Sequence, residues 1–223
     1  MASHFGGARG GHCAHRGADR LVPGTRGRRA DPRWPQRLSP HPIHQHGKRQ
    51  RKTMSQTLRY GIIGCGSMGR EHIENLRAMG GAEVTAIADP HGPSREAALA
   101  ILPPGVQVFE HYQPLLDSGL CDAVVIATPN FTHIEIMRAA LQTELHILVE
   151  KPLVTRIEDG LEMMSLASKR KAMVWVAQEY RYMPPVAEMI RMAHDGAVGR
   201  LHQVAIREHR EPFYPKVGDW NRF

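Results

Sequence analysis

Cysteine is scarce in this sequence, which has only Cys13, Cys65 and Cys121 among its 223 residues. Their number is odd and their spacing fits no paired pattern, which argues against a disulfide framework and a cysteine-based zinc site. We therefore expect no bound metal and a reducing, cytoplasmic setting.

The sequence also lacks any run of about 18 apolar residues, the length that a helix needs to cross a membrane. Aromatic residues make up only 6% of the chain, but apolar residues together reach 42%, a globular value. We therefore expect a folded protein with no membrane-spanning segment and no membrane partner.

Acidic residues are nearly absent from positions 1–53, which hold 12 Lys and Arg against 2 Asp and Glu. The remaining positions hold 17 Lys and Arg against 20 Asp and Glu, so the formal charge of +7 comes from the first 53 residues. The rest of the chain is mildly acidic, and we expect it to have no nucleic-acid partner.

Residues 1–53 are rich in Gly, Arg, His and Pro and poor in periodic apolar residues. Such a segment buries too little surface to offset its ordering entropy, so we expect disorder. A basic arm for nucleic acid, a transit peptide and a non-native extension are the alternatives. The missing apolar run and amphipathic helix favour the last, and we expect a chain that begins at Met54 to fold equally well.

Short apolar runs alternate with helical periodicity from position 58 onward. The strands are predicted at 58–64, 82–89, 106–109, 123–127, 146–149, 173–177 and 201–208. The helices are predicted at 67–79, 93–101, 112–118, 131–143, from 155 onward and at 184–194. This alternation predicts an α/β fold with a Rossmann-type doubly wound parallel sheet, whose ligands bind beyond the carboxyl ends of the strands.

The fifth predicted helix shows the pattern of a capping box, with Thr155 at the N-cap and Glu158 three residues later. Its apolar residues Ile157, Leu161 and Met164 share one face. We expect that face to point inward.

A glycine turn follows the first strand. Gly64, Gly66 and Gly69 have the G-x-G-x-x-G spacing of a dinucleotide-binding turn, which also contains Ser67 and Met68. The first glycine permits the turn, the second lets the backbone approach a pyrophosphate, and the third lets the helix pack on the strand. The helix N-terminus then offers free N–H groups to the phosphates.

Asp89 ends the second strand, 20 positions after Gly69, where a carboxylate can bind the adenosine ribose hydroxyls. The same carboxylate repels a 2′-phosphate, by roughly 4 kcal/mol at about 4 Å and an effective dielectric of about 20. NAD is therefore favoured over NADP, although Arg95 lies near enough in sequence to weaken the preference. The alternative is that Asp89 is an ordinary turn residue before a proline.

Thr128, Pro129 and Asn130 follow the fourth strand, where the pyrophosphate and nicotinamide half of a cofactor would lie. Asn130 is also a candidate N-cap for the next helix. His133 falls in the first turn of that helix, and a packing role is its alternative interpretation.

Glu150, Lys151 and Pro152 end the fifth strand. A lysine beside a cofactor crevice can hold a substrate hydroxyl and join a proton relay. An ordinary surface ion pair between the glutamate and the lysine is the alternative.

In this order and spacing, the glycine turn, Asp89, the Ala-Thr-Pro-Asn-x-x-His segment and Glu-Lys-Pro resemble the Gfo/Idh/MocA family of oxidoreductases, over about 58–223. The resemblance implies reversible hydride transfer between NAD(P) and a secondary alcohol of an inositol-like polyol or sugar. It implies a Rossmann domain at 54–178 and, at 179–223, the start of a C-terminal α/β open-sheet domain that binds substrate. It also implies a homo-oligomer for the complete protein.

The resemblance also assigns roles to residues. Lys151 is similar to the catalytic lysine of the family, and Glu150 to the residue that holds the nicotinamide ribose. Thr128, Asn130 and His133 are similar to residues of the cofactor crevice.

Two later residues belong to segments that resemble parts of the family's site. Arg181 follows the sixth strand, and an interdomain salt bridge is its equal alternative. Trp220 lies in a tryptophan-containing segment that leads towards the catalytic Asp and His of the family.

Two departures from the family pattern stand out. Positions 143–145 read Thr-Glu-Leu where the family has a glycine, so we expect a different local turn. The sequence ends at Phe223, before the catalytic Asp and His, so we expect a truncated chain that is weakly active or inactive. The alternative is a non-catalytic NAD-binding module or pseudoenzyme.

Overall fold

The computed structural model describes residues 57–209 and 216–220. The expectations for residues 1–53, including their disorder, lie outside the described residues. No helix in the described part of the chain is both long and apolar enough to cross a membrane.

The described residues form six strands and six α-helices that alternate along the chain. The strands are β1 (Leu58–Ile63), β2 (Ala82–Ala88), β3 (Gln107–Phe109), β4 (Ala123–Ile126), β5 (His146–Glu150) and β6 (Val174–Ala177). The helices are α1 (Ser67–Met79), α2 (Gly92–Leu99), α3 (Tyr112–Asp117), α4 (His133–Ala140), α5 (Ile157–Ala167) and α6 (Pro184–His194). Short 3-10 turns occupy Asn130–Thr132, Glu179–Tyr182 and Val217–Asp219.

The six strands pair in the order β3-β2-β1-β4-β5-β6, and every pair is parallel. The doubly wound Rossmann sheet predicted from the sequence is therefore confirmed. The chain leaves β1 towards β2 on one side and returns to β4 on the other. A crevice opens at the carboxyl ends of strands where the order reverses in this way.

Apolar side chains fill both faces of the sheet, as parallel strands require. One core contains Ile62, Ile73, Leu76, Val84, Ile87 and Val125. The other contains Ile63, Leu115, Val124, Ile126, Ile136, Met137, Ala140, Ile147 and Val149. In α1, Ile73 and Leu76 are buried, and in α4, Ile136, Met137 and Ala140 are buried. All four residues of β4 are buried as well.

The capping box predicted for α5 is wrong, because the helix begins at Ile157 with Arg156 at the N-cap and no side-chain cap. The predicted inward face is wrong as well. Ile157, Leu161 and Met164 are exposed, and Met163 is the buried residue of this helix. The sequence carries two apolar stripes about 100° apart, since adjacent helical residues differ by that angle, and only one of them can face the sheet.

The strand predicted at 201–208 is also wrong, because these residues are exposed and have no regular structure. A strand needs a neighbour to satisfy its backbone N–H and C=O groups. No described strand lies beside this segment, so its apolar residues have no sheet to join. The C-terminal open-sheet domain stays a prediction.

The turn between α4 and β5 closes without a glycine. The hydroxyl of Thr143 donates to the carbonyl of Ala140 and accepts the N–H of Leu145. The guanidinium of Arg170, which follows α5, donates to the carbonyls of Ala140 and Leu145. Side chains therefore satisfy groups that a left-handed glycine cap would otherwise arrange.

Candidate functional site

The glycine turn joins β1 to α1 at the carboxyl edge of the sheet. Gly64 has φ +96°, and a Cβ there would lie 2.6 Å from the carbonyl oxygen of Ala127. A Cβ on Gly69 would lie 1.9 Å from the carbonyl oxygen of Gly64. The packing of strand and helix therefore requires both glycines.

Gly66 differs from these two, since a Cβ there would meet no protein atom within 4 Å. Its φ of −66° is also open to any L-residue. The fold does not explain this glycine. The bare backbone in front of a helix N-terminus fits a pyrophosphate, which a Cβ would keep away.

Asp89 is bound directly to the glycine turn. Its Oδ2 accepts the N–H of Cys65 at 2.7 Å, and its Oδ1 accepts the N–H of His91 at 2.8 Å. The guanidinium of Arg95 donates to the carbonyl of Asp89 at 2.6 Å and pairs with Glu110 at 3.1 Å. The predicted acidic residue therefore lies at the predicted turn. The guanidinium of Arg95 lies beside them and is already hydrogen-bonded to Asp89 and Glu110.

The loop after β4 holds together through its own hydroxyls. Oγ1 of Thr132 lies 2.8 Å from Oγ1 of Thr128 and 2.7 Å from the carbonyl oxygen of Pro129. Asn130 begins a 3-10 turn, and the N-cap of α4 is Thr132, so the capping role predicted for Asn130 is wrong. The extra turn moves the start of the α-helix beyond it.

His133 is fully buried, so its ring is no exposed wall of the crevice. Its Nδ1 lies 2.8 Å from the carbonyl oxygen of Pro152, and its Nε2 lies 3.0 Å from that of Thr128. Both partners are acceptors, so both contacts are hydrogen bonds only when both ring nitrogens carry a proton. The ring joins the loop after β4 to the turn after β5, where the Lys151–Pro152 bond is cis.

Glu150 is buried and Lys151 is exposed at the end of β5. Oε1 of Glu150 lies 2.8 Å from Nε2 of His72, and its Oε2 accepts the N–H of Lys151 at 3.2 Å. Burial raises the pKa of Glu150, but the hydrogen bond and charge of His72, followed by those of Lys151, outweigh it and leave the pKa below its ordinary value. Glu150 is therefore a carboxylate at neutral pH.

The sequence reasoning missed His72. It lies three residues after Gly69 on α1, so it shares the helix face that packs on the sheet. The three-residue spacing from Gly69 could have indicated that His72 faces the sheet. The structure places the imidazole of His72 beside Glu150, at the end of β5.

Arg181 is exposed in the 3-10 turn that follows β6, the outermost strand on this side of the sheet. Trp220 is half-buried directly after the turn Val217–Asp219. Lys216, from the same segment, donates to the hydroxyl of Ser67 at 2.6 Å. The segment of Trp220 therefore lies beside the glycine turn, and a separation of 149 positions gave no sequence signal for Lys216.

Cys65 lies in the glycine turn but is no nucleophile. It is fully buried, and burial, with the nearby charge of Asp89, raises the pKa of its thiol to about 12. In the part of the chain that the structure describes, no group of three His, Cys, Asp or Glu side chains could hold a metal ion.

Two surface cavities lie at the opposite edge of the sheet. One is lined by Ala82 and Ile101, the other by Leu58 and His146, and three of these residues begin strands. Neither cavity touches the glycine turn, Asp89 or Glu150. The candidate site at the carboxyl edge is therefore distinct from both cavities.

The Gfo/Idh/MocA family, described as an oxidoreductase family with an NAD-binding Rossmann fold, matches residues 58–178. That range is more than half of the chain. The chain belongs to this family. Residues 58–178 therefore have the NAD-binding Rossmann fold of this family, and the resemblance stated from the sequence is confirmed over that range.

The chain is similar to inositol 2-dehydrogenase of Corynebacterium glutamicum (strain R), with 34% identity over 150 residues, covering 66% of this chain and 44% of that protein. The myo-inositol dehydrogenase of Lactobacillus casei, solved with NAD(H) and myo-inositol, has a TM-score of 0.61 at 28% identity, covering 65% of this chain and 43% of that one. The WlbA dehydrogenase of Bordetella pertussis, solved with NADH and UDP-GlcNAcA, has a TM-score of 0.61 at 29% identity, covering 65% of this chain and 44% of that one. The chain spans less than half the length of these relatives.

Proposed function

We propose that this chain supplies the NAD-binding part of a dehydrogenase that moves a hydride between NAD and a secondary alcohol of an inositol-like polyol or sugar. The observation that carries the proposal is the hydrogen bond from the N–H of Cys65 to Asp89, because it joins the acidic residue and the glycine turn in one place. The inositol 2-dehydrogenase relatives support the substrate class. A cytoplasmic location and a homo-oligomer belong to the same proposal.

The proposed cofactor site follows the carboxyl edge from β2 to β5. Asp89 would hold the adenosine ribose, and the turn with its bare Gly66 would hold the pyrophosphate. Glu150 would hold the nicotinamide ribose. The proposed cofactor residues are Gly64, Gly66, Ser67, Met68, Gly69, Asp89, Thr128, Pro129, Asn130, Glu150, Lys151, Arg181 and Trp220. The buried His133 would support them from within the fold, since its ring joins the loop after β4 to the turn after β5.

Lys151 is the proposed catalytic residue. Bound NAD would supply the hydride acceptor or donor. The exposed ammonium of Lys151 would hold the substrate hydroxyl and stabilise negative charge on its oxygen as the proton leaves. The neighbouring carboxylate of Glu150 would fix the backbone from which Lys151 projects, since its Oε2 accepts the N–H of Lys151.

The test is NAD⁺ binding by isothermal titration to the whole chain and to Gly66→Ala. We expect the wild type to bind NAD⁺ more tightly than NADP⁺, because Asp89 repels a 2′-phosphate. We expect Gly66→Ala to weaken NAD⁺ binding by about tenfold or more, about 1.4 kcal/mol. The melting temperature should change little, since the added methyl group meets no protein atom within 4 Å.

Gly160→Ala on α5 is the matched control, since it adds the same methyl group away from the turn and should leave NAD⁺ binding unchanged. Absence of NAD⁺ binding to the wild type would contradict the proposal. A second test uses a longer protein that also contains the remaining part of the family's length. If it binds NAD⁺ but oxidises no polyol, the non-catalytic module is favoured.

A further inference from the structure

His72 and Glu150 form a nearly buried pair. Nε2 of His72 lies 2.8 Å from Oε1 of Glu150, and only 17% and 9% of the two side chains are exposed. The other carboxylate oxygen accepts the N–H of Lys151. Both oxygens of Glu150 are therefore held, and the carboxylate keeps one orientation.

The pair connects two elements that lie 78 positions apart in sequence. Helix α1 begins at Ser67, directly after the glycine turn, and His72 lies in its second turn. Glu150 is the last residue of β5. One helix therefore presents its N-terminus at the glycine turn and, one turn later, an imidazole that holds the carboxylate at the end of β5.

The carboxylate needs such a partner because it is charged and buried. A buried charge that loses its partner is left uncompensated, and it then turns towards solvent or takes up a proton. Lys151 is exposed and reaches Glu150 through its backbone N–H. His72 is therefore the side chain that fixes Glu150 from within the fold.

We propose that His72 is a positioning residue for the nicotinamide side of the NAD site, where it holds Glu150 ready to accept the nicotinamide ribose hydroxyls. This inference rests on the function proposed above. It predicts that His72 strengthens the binding of the nicotinamide half of NAD and has no effect on the binding of the adenine half.

Three ligands separate the two halves. ADP covers the adenosine and the pyrophosphate, ADP-ribose adds the second ribose, and NAD⁺ adds the nicotinamide. Each is titrated calorimetrically into the whole chain and into His72→Ala. We expect His72→Ala to bind NAD⁺ and ADP-ribose about tenfold more weakly, the usual effect of losing a hydrogen bond to a charged group. ADP binding should stay unchanged.

A conservative variant tests the role of the hydrogen bond. His72→Gln keeps an N–H donor, and we expect it to restore NAD⁺ binding to within about threefold of the wild type. Glu74→Ala, an exposed position on the same helix, is the control for changes to α1 itself. It should bind all three ligands as the wild type does.

Equal losses for ADP and NAD⁺ would overturn the inference, because they would show that His72 only supports α1. Unchanged NAD⁺ binding in His72→Ala would also overturn it. If His72→Ala does not fold, His72→Asn replaces it, because the shorter amide side chain cannot reach Glu150. The same results for ADP and NAD⁺ then decide whether the inference holds. A wild type that binds ADP but not NAD⁺ overturns the proposed function instead.

Discussion

Residues 58–150 and residues 157–194 contribute to the same sheet but bury their apolar side chains very differently. Helix α1 has three buried residues and β4 is buried throughout, whereas α5 has one buried residue and α6 has none. Strand β6 pairs with β5 over four residues, yet Trp175 remains 47% exposed. Backbone pairing alone therefore does not create a core, and most of the buried apolar side chains lie in residues 58–150.

A matched pair of glycine substitutions gives the largest expected contrast between the two regions. Gly69→Ala would place a methyl group 1.9 Å from the carbonyl oxygen of Gly64, so the strand and the helix must move apart. We expect it to lower the free energy of unfolding by at least about 4 kcal/mol. Urea unfolding followed by circular dichroism measures the change.

Gly160→Ala should have the opposite sign. Its Cβ would meet Val154 at 3.5 Å, an ordinary contact, inside helix α5. Alanine is the better helix former, so we expect a stabilisation of about 0.5 to 1 kcal/mol. A destabilisation at Gly160 similar to that at Gly69 would contradict the comparison.

Truncation of one isoleucine in each region gives the next largest contrast. Ile126 is 0% exposed in β4, and Ile157 is 80% exposed in α5. We expect Ile126→Ala to cost about 3 kcal/mol through lost burial and a cavity, and Ile157→Ala to change stability by less than about 0.5 kcal/mol. Similar values from denaturant unfolding of the two variants would show that α5 is covered in solution.

The smallest expected effect is the pH dependence of Glu150, at the boundary between the regions. Its folded pKa lies below the ordinary value of 4.5, so its contribution to stability is complete above that pH and is lost as the pH falls through the folded pKa. We expect the difference in the free energy of unfolding between wild type and Glu150→Gln to shrink as the pH falls below about 5. Glu74→Gln, exposed on α1, is the control, and a difference that grows towards acid pH would contradict this sign.

The parallel sheet could be predicted from the sequence because its signals are local. The run 123–127 and the inward residues of α1 and α4 report burial through their own periodicity. The strand at 201–208 and the inward face of α5 could not be predicted correctly, because periodicity identifies an apolar stripe but not what covers it. The capping box failed in the same way, since a matching sequence does not fix where a helix begins.

The candidate site also contains residues that a local pattern predicts and residues that it does not. The glycine turn and Asp89 follow fixed spacings within one βαβ unit, so the sequence was enough to bring them together. His72 and Lys216 act at distances of 78 and 149 positions from their partners. Such pairings depend on the rotation of a helix and the path of a loop, which no local pattern records.

The turn before β5 also has a consequence for the order in which the chain can fold. Arg170, whose guanidinium binds the carbonyls of Ala140 and Leu145, follows them by 30 and 25 positions. During synthesis it therefore leaves the ribosome only after the whole of α5. Thr143 can close the turn as soon as it is synthesised, because its hydrogen bonds to Ala140 and Leu145 are local. The bonds from Arg170 form only after α5 has been synthesised, so the end of α4 and the start of β5 gain their last hydrogen bonds late.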